Sequence, residues 1–132
     1  VLVVDDDVDF RALLRWQLDN EPVCDIVGDV ADGFEALEQV AALAPEVAVV
    51  DLMMPGMDGF ELIDRLRADH PDVRPVAYSA MANDRARDQL HAIGVQMLTK
   101  SGDPRKLLDV MVQLAAEARD EVGAGQPDSA AT

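Results

Sequence analysis

The sequence points to a doubly wound α/β domain: five short parallel strands in one sheet, with a helix after each. Three features carry this expectation. Runs of β-formers alternate along the chain with amphipathic helical stretches. Residues 47–50, Val-Ala-Val-Val, are apolar throughout, as a strand covered on both faces must be. Runs 1–4 and 47–50 both stop abruptly on Asp, and open α/β sheets keep their chemistry at the carboxyl ends of their strands.

Taken in order, residues 1–4 form the first strand and 7–20 a helix with Phe10, Leu13, Leu14 and Leu18 on one face. Residues 23–29 read as a weaker strand that ends before the turn signal Asp32-Gly33. Residues 34–44 are helical, with Leu37, Val40, Ala41 and Ala44 inward, and Pro45 stops them. After the third strand, Asp58-Gly59 precedes a helix over 59–69 carrying Leu62, Ile63 and Leu66, which His70-Pro71 ends. Residues 76–79 are the fourth strand. A thin stripe (Ala86, Leu90, Ile93) marks a helix over 84–93, capped by Gly94. Residues 96–99 are the fifth strand. Asp103 as N-cap and Pro104 at the first helical position open the last helix, whose apolar face is Leu107, Leu108, Met111, Leu114, Ala115 and Ala118. The stretch 123–132 has no periodicity, so the domain is expected over 1–122 with a flexible tail or linker after it.

Composition narrows the function. The chain has 132 residues, enough for one domain with a real core, and 49% of them are hydrophobic. A net charge of -15 argues against a nucleic-acid surface, which needs clustered Lys and Arg. Cys24 is the sole cysteine, which excludes an internal disulfide and a Cys-based metal site; a buried free thiol is the simplest reading. No apolar run reaches the length of a membrane span and no signal peptide is visible, so a cytoplasmic location is expected. The chain opens directly in a strand without Met, so a few residues are expected to precede it.

The chemistry centres on Asp51, at the tip of a buried strand and followed at once by the Pro/Gly-rich turn 53–59. Asp5-Asp6-Asp7 ends the first strand in the same way. In a parallel sheet Asp5, Asp6, Asp51, Ser79 and Lys100 all fall at or just past one edge and can converge, and gathered carboxylates need a cation. Plainer roles compete. Asp7 suits the positive end of the first helix. Ser79 or Lys100 alone would be an ordinary turn or surface residue. His70 and His91 lack partners at ligand spacing and read as surface residues; Trp16 and Tyr78 read as packing residues, and the six Met as fillers of core and loop gaps.

In this order and at these separations, Asp5-Asp6, Asp51 with its Met-Pro-Gly-Met-Asp-Gly loop, Ser79-Ala80 and Lys100 resemble the receiver domain of two-component response regulators. The resemblance implies a flavodoxin-like sheet of order 2-1-3-4-5. It implies that Asp51 accepts a phosphoryl group from a phosphohistidine on a sensor histidine kinase or phosphotransfer protein. Mg²⁺, with Mn²⁺ as a substitute, would be held by Asp6, Asp51 and the backbone carbonyl of Met53, with Asp5 acting mainly through water. Lys100 and Ser79 would each meet a phosphoryl oxygen. Three ionised Asp, one Mg²⁺ and one ammonium sum to zero; without the metal, at least one carboxyl is expected to have a raised pKa.

The sequence departs from the family pattern in two places. The aromatic usual three residues before the lysine is replaced by Met97, which puts the aromatic switch in doubt. Ser101 stands where Pro usually follows the lysine, and a cis bond there would cost roughly 2.5–4 kcal/mol. Met53 and Met81, apolar beside the site, predict slow self-dephosphorylation.

The expected function is therefore a phosphorylation-controlled signalling switch, not a metabolic enzyme, that alters a protein-interaction surface. Arg85, Arg87, Arg105 and Lys106 on the helix-four to helix-five side are candidates for that surface, and phosphorylation-dependent homodimerisation is one form of output. The alternative is the receiver part of a longer transcription regulator. A phosphohydrolase would place a second Asp where Met53 stands, and a nucleotide-binding protein of this fold would need a Gly-rich loop where Asp5-Asp6-Asp7 repel phosphate.

Overall fold

The structure, a computed structural model, describes residues 1–18, 25–54, 56–80, 84–100 and 104–131, with side chains as far as residue 118. Five strands, β1 (Leu2–Val4), β2 (Gly28–Val30), β3 (Val47–Asp51), β4 (Arg74–Ser79) and β5 (Met97–Thr99), form one parallel sheet in the order β2-β1-β3-β4-β5. Helices α1 (Val8–Leu18), α2 (Gly33–Leu43), α3 (Gly59–Asp69), α4 (Asp84–Ala92) and α5 (Pro104–Ala131) follow the strands in turn. The expected architecture and strand order hold.

The pleat of the central strands divides the core in two. Leu2, Val4, Ala48 and Val50 face α2, α3 and α4, packing with Ala36, Val40, Leu62, Ile63, Leu66 and Leu90. Val1, Val3, Val47 and Val49 face the other way, onto Leu14 and Leu18 of α1 and Leu107, Met111 and Ala115 of α5. Alternate residues of one apolar strand thus serve two helical layers.

Helix starts are set by Asp side chains. Asp7 Oδ1 accepts from the N–H groups of Asp9 (3.0 Å) and Phe10 (3.3 Å), so Asp7 caps α1 as expected. Asp32 accepts from Glu35 N at 2.9 Å and Asp58 from Glu61 N at 2.9 Å. Asp32 is therefore an N-cap as well as part of a turn. The chain leaves α2 through Ala44 (φ 47°), in the left-handed region, and leaves α4 through Gly94 (φ 78°), the expected cap.

Several expectations need correction. Trp16 is 69% exposed rather than packed: it lies two residues, about 200° of helix, from both buried positions Leu14 and Leu18. Leu13, about 100° of helix from Leu14 and about 140° from Leu18, is also exposed. On α2 the buried residues are Ala36 and Val40 with Leu37 partly buried, whereas Ala41 and Ala44 face solvent. β4 begins at Arg74, earlier than expected, and β2 is confined to Gly28–Val30. His70, read as a surface residue, is half-buried as the C-cap of α3, and His91 is exposed. α5 is helical from Pro104 to Ala131. Cys24, Met81, the Lys100–Ser101 bond and the Asp103 cap lie outside the described residues.

Candidate functional site

Sheet register assembles the site. Val4 pairs with Val50 across β1 and β3, so Asp5 and Asp51 emerge side by side at the carboxyl edge. Asp51 pairs with Tyr78 across β3 and β4, which puts Ser79 one residue further on. Ser79 pairs with Thr99, and Lys100 follows at once. Four residues far apart in sequence, Asp5, Asp51, Ser79 and Lys100, reach one rim because parallel strands share a direction.

Each carboxylate is locked locally. Asp5 Oδ1 accepts from Asp7 N at 2.8 Å and Asp51 Oδ1 from Met53 N at 3.0 Å, both bonds to the residue two positions on, the geometry of an Asx turn. Asp5 N donates to Val30 O (3.0 Å), tying the cluster to β2. Arg11 bonds the Asp5 carbonyl and pairs with Asp29 at 3.3 Å, fixing the first turn of α1. On the far side Lys100 N donates to Ser79 O at 2.7 Å. Gly59 lets α3 start against the end of β3: a Cβ there would lie 2.4 Å from the Asp51 carbonyl oxygen.

Asp5 is 1%, Asp51 4% and Ser79 3% exposed, while Asp6 is exposed. One oxygen from each of Asp5, Asp6 and Asp51 lies within 4.8 Å of the others. Ligands on a Mg²⁺ ion at about 2.0–2.1 Å stand roughly 2.9–4.2 Å apart, so a small inward movement completes the set. Asp5 Oδ2 is enclosed, and its near neighbour is the Lys100 ammonium at 2.7 Å, so a positive charge already sits against this oxygen. The donor set, carboxylate oxygens without nitrogen or sulfur, suits a hard divalent ion.

Lys100 stands inside this cluster rather than beside it. Its Nζ is 2.7 Å from Asp5 Oδ2 and 3.4 Å from Asp51 Oδ2. Burial raises the Asp51 pKa, and the charge of Asp5 raises it further; the Met53 N–H and the ammonium only partly offset this. That meets the expectation of a raised carboxyl. Burial alone would lower Lys100, but contact with Asp5 and the charges of both carboxylates outweigh it, so its pKa is raised. Burial likewise raises Tyr78.

All the expected residues thus meet at one edge. Three positions carry qualifications. Lys100 binds Asp5 and Asp51 here, where a phosphoryl oxygen was the expected partner. Met53 enters through its N–H, with its side chain 62% exposed. Phe10, read from periodicity as core, lies under Lys100, with Nζ 4.6 Å from the ring centroid, and stacks on Tyr78 with ring centroids 5.0 Å apart. Apolar spacing alone could not separate that position from ordinary packing.

This is the fold of a signalling domain, with an acidic cluster at the carboxyl edge of its sheet. Residues 1–112 match the family model for the response regulator receiver domain, and the chain belongs to that family. It is 32% identical over 142 aligned positions to protein-glutamate methylesterase/protein-glutamine glutaminase 2 of Vibrio vulnificus, covering 99% of this chain and 40% of that protein. It is 36% identical over 110 positions to the corresponding protein of Geobacillus kaustophilus, covering 81% of this chain and 31% of that one. Among solved structures, a LuxR-family two-component response regulator from Aurantimonas superposes with a TM-score of 0.81 at 25% identity, over 88% of this chain and 84% of the other. A signal receiver domain from Vibrio parahaemolyticus superposes at 0.86 over 93% and 94%, with 21% identity, a likeness of fold. The chain is thus a signalling module that spans well under half of the curated relatives named. Among the described residues, no helix is long and apolar enough to cross a membrane.

Proposed function

We propose that this receiver is phosphorylated on Asp51 by a histidine kinase or phosphotransfer protein, and that the modification changes a protein-binding face. The observation that carries the reading is the cluster itself: Asp5, Asp6 and Asp51 within 4.8 Å, with the Lys100 ammonium among them. A carboxylate oxygen of Asp51 attacks phosphorus, the P–N bond of the donor phosphohistidine breaks, and the imidazole leaves with the electron pair and takes a proton. Asp6, Asp51 and the Met53 carbonyl, with Asp5 behind them, would hold Mg²⁺ or Mn²⁺, which would neutralise the oxygens that repel one another there. The Met53 N–H orients the Asp51 carboxylate. Lys100 moves from Asp5 and Asp51 onto the incoming phosphoryl group, and Ser79 supplies a hydroxyl. Positioning and charge neutralisation do most of what phosphoryl transfer needs.

Exposed apolar side chains near the rim support a protein partner: Val8 follows the acidic cluster, Met53 the phosphoacceptor, and Phe34 sits by Gly56. On the output side, Met97 is buried where the family has its aromatic switch, and it lines a 340 Å³ cleft with Tyr78, Arg87, His91 and Lys106. A new partner or a second copy of the chain at that face is the proposed readout. The receiver proper is assigned to 1–122 and its location to the cytoplasm.

The short span of the chain on its curated relatives favours a place within a longer protein. Two outputs occur among the similar proteins, a methylesterase/glutaminase and a LuxR-family regulator. The test of the reading is intact mass after incubation with acetyl phosphate, with Mg²⁺ or with EDTA. Wild type should gain one phosphoryl group only with the metal, and Asp51→Asn none. An unmodified wild type would overturn the proposal.

A further inference from the structure

We infer that Phe10 is a positioning residue for Lys100: its ring, braced by Tyr78, seats the ammonium at the edge of the carboxylate cluster. The inference rests on the phosphoacceptor reading above.

Lys100 Nζ lies 4.6 Å from the centroid of Phe10, inside the range at which a cation gains from the negative face of a ring. The side chain is 20% exposed, so the attraction is only partly screened by water. Lys100 needs such a seat because a lysine is a flexible point charge on a four-carbon stem. Its carboxylate partners fix it in the resting state, at 2.7 Å from Asp5 and 3.4 Å from Asp51. Both contacts weaken if a divalent ion takes over those oxygens and a phosphoryl group arrives. The Phe10 ring belongs to neither and can hold the ammonium through the change.

The ring is itself held. Phe10 N donates to Asp7 Oδ1 in the first turn of α1. Its face meets Tyr78 at 5.0 Å and an interplanar angle of 33°. Tyr78 pairs in register with Asp51 and precedes Ser79, so the brace is built on the strand that carries the hydroxyl of the site. Phe10 also packs with the α1–α5 half of the core, which explains why periodicity marked it as core alone.

The test compares Phe10→Leu, Phe10→Met and Phe10→Tyr with wild type, each checked for folding by circular dichroism. In NMR spectra the Lys100 ε-methylene protons should be shifted upfield by the ring in wild type and Phe10→Tyr, and return towards ordinary values in the Leu and Met variants. With acetyl phosphate at saturating Mg²⁺, Phe10→Leu and Phe10→Met should be phosphorylated about threefold to tenfold more slowly, with Phe10→Tyr close to wild type. Mg²⁺ affinity should change little. In a Lys100→Ala background the Phe10→Leu effect should vanish. An undiminished effect in that background, or equal rates for Leu and Phe at position 10, would sink the assignment while leaving the phosphoacceptor reading intact. A wild type that takes no phosphoryl group would remove both. A wild type that is phosphorylated without a ring shift at Lys100 would remove only this one.

Discussion

Gly59 is where the fold and the site press hardest on each other, and replacing it with Ala should show the strength of that coupling. The added Cβ would lie 2.4 Å from the Asp51 carbonyl oxygen and 2.7 Å from Leu52 Cα. Carbon atoms in contact prefer about 3.5–4.0 Å, so one backbone must retreat by about 1 Å. Both clashing groups are main chain, and no rotamer relieves them. Overpacking typically costs about 1–3 kcal/mol, and a rigid clash belongs at or above the top of that range. Ala regains at most about 1 kcal/mol of helix propensity. The net expectation is a loss of about 2–3 kcal/mol, or a shift of about 1 M in a urea midpoint if the slope is near 2 kcal/mol per molar. Gly33→Ala is the control. Its Cβ would lie 2.7 Å from Met57 Sδ, which can rotate away, and 3.0 Å from Met57 Cβ and Cγ, which need a shift of only a few tenths of an ångström, so the loss should be smaller, about 1 kcal/mol. Urea titrations of both variants, with acetyl phosphate kinetics under folding conditions, check the argument. Gly59→Ala should also be phosphorylated more slowly, because the displaced atoms carry Asp51. Equal stability of the two variants, or a normal rate in Gly59→Ala, would refute the reasoning.

Other expectations concern charge and solvent. The folded pKa of Asp51 is raised by burial, so ionising it weakens the metal-free fold; the penalty is absent below the unfolded pKa near 3.8, builds as pH rises from there to the raised folded value, and is complete above it. Asp51→Asn should therefore melt higher than wild type at neutral pH without metal, and the gap should close in acid; melting curves across pH decide it. Mg²⁺ should stabilise wild type by about 2.7 kcal/mol at one hundred times its Kd. Asp6→Asn should lose most of that gain in the same melts. The Met53 side chain points to solvent beside the site and cannot orient a water, so the phosphorylated domain should outlast seconds without a phosphatase. Met53→Asn should shorten that lifetime, measured as decay of the phosphorylated mass.

The sequence revealed most of the fold because its strongest signals were local and repeated. The apolar run 47–50 and the stripes on α3, α4 and α5 fall where periodicity puts them. Errors arose where apolar residues were plentiful on every side of a helix. Trp16 and Leu13 offered α1 a competing face, and Ala41 and Ala44 did the same for α2; only the direction of the sheet decides which face is buried. The site was legible because strand ends are: each expected residue terminates or follows a strand, and parallel register does the rest. Contacts set by side-chain reach were not legible. Nothing in the spacing of Phe10 and Lys100 announces that one lies under the other, nor that the ammonium leans onto Asp5.

Phosphorylated protein should be trapped with borohydride, which reduces an aspartyl phosphate to homoserine, and mapped by peptide mass spectrometry. Homoserine at position 51, formed only when Mg²⁺ was present, is the outcome expected if three carboxylates and one ammonium prepare Asp51 as the acceptor. Reduction at Asp5 or Asp6 instead, or none in protein that has gained a phosphoryl group, would contradict that assignment.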